Sequence, residues 1–541
     1  MQTRQVRGIA ALVGTAGLSV GVAGAQPLVI DWLAPTTGLW SNAGSWSGGN
    51  VPDTLDEIAR LSPERLGRGL LASALVDQGF SVEAVTGTGT VDLVIQNDAS
   101  LAIGSLFEGT STFRPLRVFV GDDSLVGGGA LLELIGTGDP RNGRANLRNV
   151  VIDLVNETAE LVSNEETRIG TDAIVVGAGR VIGSYANSGT ITSRRNATLT
   201  IQDASIHGGG ELVAETFSQL RIEQSDVTGG RIAAFGGSVR LDGVDLSFTE
   251  LTGFTNPMNV EGASTFTDVV IDSGVDLRIG DPLRYVATDG VFKNTGDVLV
   301  ERPGRLEFDD TPDNAVLIEA GRVQLRSGWI TAQQDDEVYL FPGAAVFGSG
   351  GVLADVVNLG DLDARDPDPE FPRSTLQIGG SFTQLSVGRV TTSVAQRLLP
   401  SPGDVETQSV VVDGNAALGG ELAIDYLVLE PERIAGIPIT VLLVRGSSSA
   451  VIGEFDRVSV GGVTSGLSPI PQVDYLDQSV DVTLFCLADV NRDGSVNPAD
   501  FTAWVRSFND RDPLADQNLD GGIDPSDFNA WVTNFNSGCG R

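Results

Sequence analysis

Leu199-Thr-Ile201 recurs as Leu220-Arg-Ile222 and again as Val239-Arg-Leu241, a repeat of about 20 residues. Ile206, Val227 and Leu246 follow at the same spacing, and Leu212 returns as Ile232. Within each copy apolar side chains alternate with polar ones, as a strand with one buried face requires. Gly-rich or Asp-rich corners separate the copies. A coil of this length has too few inward side chains to be stable alone, so its core must be completed by the coils above and below. A second echo sits at the corners, where Asn187-Ser-Gly-Thr-Ile191, Asn294-Thr-Gly-Asp-Val298 and Asn358-Leu-Gly-Asp-Leu362 repeat one pattern. Asn tolerates tight corners, and its amide can hydrogen-bond along a stack. The spacing predicts a mainly β chain built on a right-handed parallel β-helix, a solenoid, over residues 63–370. A β-sandwich array is the competing reading of the same intervals.

Outward from this repeat the chain changes twice. Residues 26–62 carry Trp40 and Trp46, then Gly48-Gly49 and Pro52-Asp53, which fits an irregular β cap over the first coil; a sugar-stacking platform is the alternative for the two Trp. This stretch resembles the start of secreted bacterial β-helix and passenger-type repeat proteins. Asp363 to Arg373 holds three prolines among dense charge and reads as a linker. Beyond it, runs such as Ser409-Val-Val-Val412 and Ile439-Thr-Val-Leu-Leu-Val444 predict a small antiparallel β domain over 371–485 that closes the solenoid. Positions 1–25 read as an export signal: Arg4 and Arg7, an apolar run from Gly8 to Val22, and Ala23-Gly24-Ala25 before Gln26. An N-terminal anchor helix is the alternative, although the run is Gly-rich and short of a full span. No transmembrane segment is expected once the signal is removed.

The chain has a formal charge of −36 and a single lysine, Lys293. That charge argues against nucleic acid or an anionic membrane as partner. The two cysteines, Cys486 and Cys539, bracket the C-terminal stretch and nothing else.

Inside that bracket lie two twelve-residue loops in phase, Asp489-Val-Asn-Arg-Asp-Gly-Ser-Val-Asn-Pro-Ala-Asp500 and Asp516-Gln-Asn-Leu-Asp-Gly-Gly-Ile-Asp-Pro-Ser-Asp527. Oxygen-bearing side chains fall at positions 1, 3, 5, 9 and 12: Asp489, Asn491, Asp493, Asn497 and Asp500, then Asp516, Asn518, Asp520, Asp524 and Asp527. Ser495 and Gly522 at position 7 need supply only a backbone carbonyl, and Gly494 and Gly521 at position 6 permit the sharp turn. A hard cation such as Ca²⁺ takes six to eight oxygens, and a loop of this length wraps one. An acidic turn is the bland reading of one such loop, but not of two in phase. Each loop is followed by apolar residues at i, i+3, i+4 and i+7: Phe501, Trp504, Val505 and Phe508, then Phe528, Trp531, Val532 and Phe535. That is one face of a short helix. The stretch between the loops, 501–515, leaves room for an exit helix and none for an entering one.

This duplicated loop-helix module, residues 486–541, resembles the type I dockerin domain, and its Gly538-Cys539-Gly540-Arg541 ending resembles a Gly-Cys-ending subclass associated with anchoring. The resemblance implies two Ca²⁺ sites, helices packed antiparallel, and docking to a cohesin-like protein or another cell-envelope component. Asp at position 12, where sensor loops carry Glu, agrees with it. Under this resemblance Cys486 and Cys539 meet as a disulfide; the alternative is Cys539 as a processing or attachment point.

Catalysis is not expected. Polygalacturonase-like enzymes on β-helices carry Asn-Thr-Asp, Gly-His-Gly and Arg-Ile-Lys clusters, and none is present. His207, the one histidine, precedes Gly208-Gly-Gly210 and reads as a corner residue. The expected function is a non-catalytic, exported β-solenoid, extracellular or at the cell surface, attached or recruited through its calcium-binding end. The alternative is a carbohydrate-active protein, enzyme or glycan binder, recruited to a polysaccharide-degrading assembly.

Overall fold

The computed structural model describes residues 28–538 apart from 35–36, 62–71, 88–90, 110–114, 122–128, 136–143, 195, 255, 310–314, 334–335, 366–374, 397–404, 428–433 and 463–465. The expected signal at 1–25, most of the proline-rich linker and Cys539 lie outside the described residues.

The chain winds as a parallel β-solenoid with three strand tracks. The first begins where Leu28–Asp31 pairs with Glu57–Leu61 and continues to the pairing of Val405–Val412 with Ile439–Val444. The second ends where Glu421–Leu427 pairs with Arg457–Gly461. Both belong to one 30-stranded sheet. The third track is an 11-stranded sheet that ends at Val270–Ile271, then a seven-stranded sheet that starts at Val291–Phe292. A single bridge, Ile271 to Asn294, joins them.

The register is the one the repeat demands. Leu199 lies beside Leu220 and Leu220 beside Val239; Ile201, Ile222 and Leu241 form the next column. All six side chains are fully buried. Each contributes about 1.5–3 kcal/mol relative to an exposed position, and a one-residue slip would turn the whole column to solvent. Ile206, Val227 and Leu246 stack in the same way. At the corners Asn187, Asn294 and Asn358 are buried, and each side-chain oxygen accepts from the backbone N–H of the Gly two positions on. Asn358 also donates to Gln384 Oε1 of the next coil, at 2.7 Å.

Two boundaries differ from expectation. Residues 371–461 are not a separate antiparallel domain, because most of their strands continue the parallel tracks. Leu376 lies beside Val410 and Val410 beside Leu442, so these coils are markedly longer than those in the middle of the rod. Longer excursions between rungs stretch the repeat, and the unbroken apolar run Val410–Val412, buried throughout, has no alternation to reveal its partner. Among the described residues at this end, antiparallel pairing is limited to Arg389–Gln396 with Val405–Val412, to Ser479–Thr483 with Ile439–Val444 and Gln472–Tyr475, and to a bridge between Leu467 and Cys486. At the other end, parallel pairing starts inside the expected cap. There Trp32, Trp40 and Trp46 pack edge to face, with centroids 4.9 and 4.6 Å apart. Trp40 Nε1 donates to Pro52 O and Trp46 Nε1 to Trp40 O. Trp40 and Trp46 are almost wholly buried, so neither is free to stack on a sugar.

Two α-helices follow the last strand, α1 at Pro498–Asp510 and α2 at Pro525–Ser537. Among the described residues no helix is long and apolar enough to cross a membrane.

Candidate metal-binding loops at the C-terminus

The two loops share one backbone. Position 4 is left-handed in both (Arg492 φ 58°, Leu519 φ 59°), and so is the position-6 glycine (Gly494 φ 83°, Gly521 φ 82°). A left-handed residue between two oxygen-bearing positions reverses the chain, and Gly makes the second reversal without a steric penalty.

The side-chain bonds repeat as well. The position-1 carboxylates of Asp489 and Asp516 accept from the backbone N–H of Gly494 (3.0 Å) and Gly521 (2.9 Å). Asn491 and Asn518 at position 3 accept from the N–H of Asp493 and Asp520. Those aspartates in turn accept from the N–H of Ser495 and Gly522. Position 12 closes each loop: Asp500 accepts from the N–H of Asn491 and Asn497, and Asp527 from the N–H of Asn518 and Asp524.

The same residues start the helices. Asn497 and Asp524 at position 9 are N-caps, and Asp500 and Asp527 are the third residues of capping boxes. A carboxylate there satisfies otherwise orphaned N–H groups and complements the helix dipole. Pro498 and Pro525 occupy the first helical position, so each helix begins ahead of its aromatic signature. Helix α1 ends at Arg511, left-handed at φ 55°, ahead of Pro513. A 3-10 turn, Pro513–Ala515, leads to the second loop, and no helix enters either loop.

Asp500 and Asp527 are fully buried and Asp489 nearly so. Burial pushes the Asp489 pKa up, and the nearby Asp500 and Asp493 charges push it further, against the N–H groups of Gly494 and Asp493. In the second loop Asp516 Oδ1 is buried with no hydrogen-bond partner. Among the described residues no three His, Cys, Asp or Glu side chains are drawn together as a metal cluster. The carboxylates are turned onto their own loop N–H groups, and the rest of the donor set consists of Asn oxygens and the Ser495 and Gly522 carbonyls. This set is all oxygen and net negative, on two loops of matching curvature. It has the chemistry of a hard divalent-cation site.

Several anchoring residues carry no signal in the loop pattern. Arg492 donates to Ile470 O (2.9 Å) and lies over the Phe485 ring, which fastens the first loop to the closing strands. Gln517, buried, donates to Leu487 O and Leu514 O, and Asn534 of α2 donates to Gln517 O. Cys486 is buried and disulfide-bonded. The helices meet through Phe501, Trp504, Phe528 and Trp531, with Phe501–Trp531 centroids 5.2 Å apart. Trp504 and Trp531 are buried, whereas Phe501 and Val505 of α1 and Phe528 and Val532 of α2 stay about two-fifths exposed. His207 ends the strand Thr198–His207 and lies 3.4 Å from Glu166.

No protein-family model matches this chain, and no curated protein matches it.

Proposed function

We propose that this chain is an exported β-solenoid that is held at the cell surface, or recruited outside the cell, through a calcium-ordered dockerin-like module at residues 486–541. The observation that carries the reading is the matching backbone and hydrogen-bond pattern of the two loops, with buried carboxylates at Asp489, Asp500 and Asp527 and an unpartnered Asp516 oxygen. Asp489, Asn491, Asp493, Asn497 and Asp500, with the Ser495 carbonyl, would hold one Ca²⁺. Asp516, Asn518, Asp520, Asp524 and Asp527, with the Gly522 carbonyl, would hold the other. The cation supplies the positive charge that lets these oxygens converge. The matched exposed residues Phe501, Val505, Phe528 and Val532 support a docking role, with a cohesin-like or other envelope protein as partner. The solenoid is then the displayed part, a rod rather than a catalyst.

Calorimetric titration of the decalcified full chain with CaCl₂ tests this directly. Two equivalents are expected, and absence of binding at millimolar calcium ends the reading.

A further inference from the structure

Arginines on the solenoid flank are commonly matched to an acid one coil away: Arg60 with Asp31, Arg180 with Glu160, Arg231 with Glu211, Arg326 with Glu301. At one groove three arginines depart from this pattern together. Arg302, Arg305 and Arg445 line a single open groove of about 660 Å³ with Trp329, Thr375 and Gln377, and among the described residues no acidic side chain lines it. None of the three guanidinium groups has an acidic partner within ion-pair distance among the described residues. In a chain of net charge −36, three arginines without a carboxylate partner among the described residues stand out.

The fold builds the groove from one outward ladder. Arg305 lies beside Trp329, Trp329 beside Gly351, and Gly351 beside Gln377 on successive parallel rungs. Gly351 has no side chain to fill its place, and Trp329 takes it. A Cβ added at Gly351 would lie 2.3 Å from Cζ3 and 2.7 Å from Cε3 of the indole. The six-membered ring therefore occupies the place a side chain would take on the next rung, and the side chain remains partly exposed. Gln377 Nε2 donates to Asp413 (2.8 Å), which fixes the amide.

A partly exposed indole offers an apolar face to the C–H face of a sugar ring. Guanidinium groups free of acids bind carboxylate or sulfate in a planar, bidentate manner. A groove that is open along the solenoid admits a chain rather than a single small molecule. We propose that this groove binds an acidic glycan, one pyranose ring stacked on Trp329 and its carboxylate or sulfate held by Arg305 and Arg445. The groove stands on its own residues and is independent of the metal reading of the C-terminus.

The test is calorimetric titration of the full chain, at fixed calcium, with three oligosaccharides: an oligogalacturonate, a sulfated galactan fragment and its unsulfated counterpart. Binding of at least one anionic probe and none of the neutral one is expected; the anionic arm that binds identifies the acidic group. Trp329→Ala and Arg445→Glu should each weaken that binding about tenfold or more. Arg445 is exposed, so its variant keeps the test valid if Trp329→Ala fails to fold, and equal thermal midpoints confirm that both are native. Failure of both anionic probes to bind, equal binding of the neutral probe, or affinity unchanged in Arg445→Glu would overturn the proposal.

Discussion

Lys293, the single lysine, does a specific job at the residue scale. Asp268 is 4% exposed and accepts from Thr288 and from Lys293 Nζ at 3.1 Å. Burial pushes the Asp268 pKa up, but the bonds from Thr288 and Lys293 outweigh it and hold the carboxyl below its ordinary value of 3.8. A carboxyl depressed in the folded state contributes stability that is present above its unfolded pKa and lost as pH falls through the folded one. Lys293→Met should therefore lower stability by about 1–2 kcal/mol at neutral pH, a figure reduced for the partial exposure of the lysine. The deficit should be smaller when both proteins are melted in strong acid than at neutral pH, because protonation removes the carboxylate charge that Lys293 holds. Thermal midpoints at the two pH values check this, and an equal deficit at both would refute the linkage. The lysine is conspicuous in the sequence and Asp289, four residues before it, is a local partner, but Asp268 sits on a neighbouring coil and nothing local names it.

Elements show where a sequence speaks clearly and where it falls silent. The columns through Leu199, Leu220 and Val239 are legible because short, near-equal coils keep each inward residue in phase with the next. That phase is lost after position 370, where the rungs lie much farther apart in sequence and strands buried on both faces lose their alternation. Direction, parallel or antiparallel, is set by how the chain returns, which periodicity does not encode. The groove at Trp329 leaves no mark in the sequence for a related reason: an outward Trp and a Gly one coil later become informative only once the register joins them. The loops are legible residue by residue, since ligand spacing and helix capping place the same side chains at the same positions. Asp527 makes this overlap testable. Asp527→Ala removes a buried acceptor for the N–H groups of Gln517, Asn518 and Asp524 together with the closing ligand of the second loop. A loss of about 2 kcal/mol or more from α2 is expected, and bound calcium should fall from two equivalents to one. Far-UV circular dichroism and calcium titration read the two effects. Retention of both equivalents would show that position 12 is a cap and nothing more.

The whole molecule combines two bodies of unequal self-sufficiency. The solenoid core runs unbroken from Ile30 to Leu484, whereas the terminal module has a separate cluster of Val490, Trp504, Ala515 and Trp531, with Ala503, Phe508, Leu514, Ile523 and Phe535 packed partly buried against it. So small a core is weak support for a module of this size, and domains of this size generally need a staple. The Cys486 disulfide is one. On the proposed reading the cations are the other, because binding to the folded loops alone would stabilise them by about 2.7 kcal/mol with calcium a hundredfold above Kd. Without them, the carboxylates at 489, 493 and 500 and at 516, 520, 524 and 527 crowd like charge into two short loops of a chain already at −36. Chelation should therefore unfold the terminal module selectively. The expected signs are loss of helical dichroism, a red shift of Trp504 and Trp531 emission, and proteolytic release of the C-terminal module. The Arg492 to Ile470 and Gln517 to Leu487 bonds would go with them, while the strand signal persists, since no inward solenoid side chain depends on the module. Added reductant should deepen the effect. A helical signal indifferent to chelator and reductant together would mean that the small core suffices. Melting of strands and helices in one step would mean that the two bodies are a single cooperative unit.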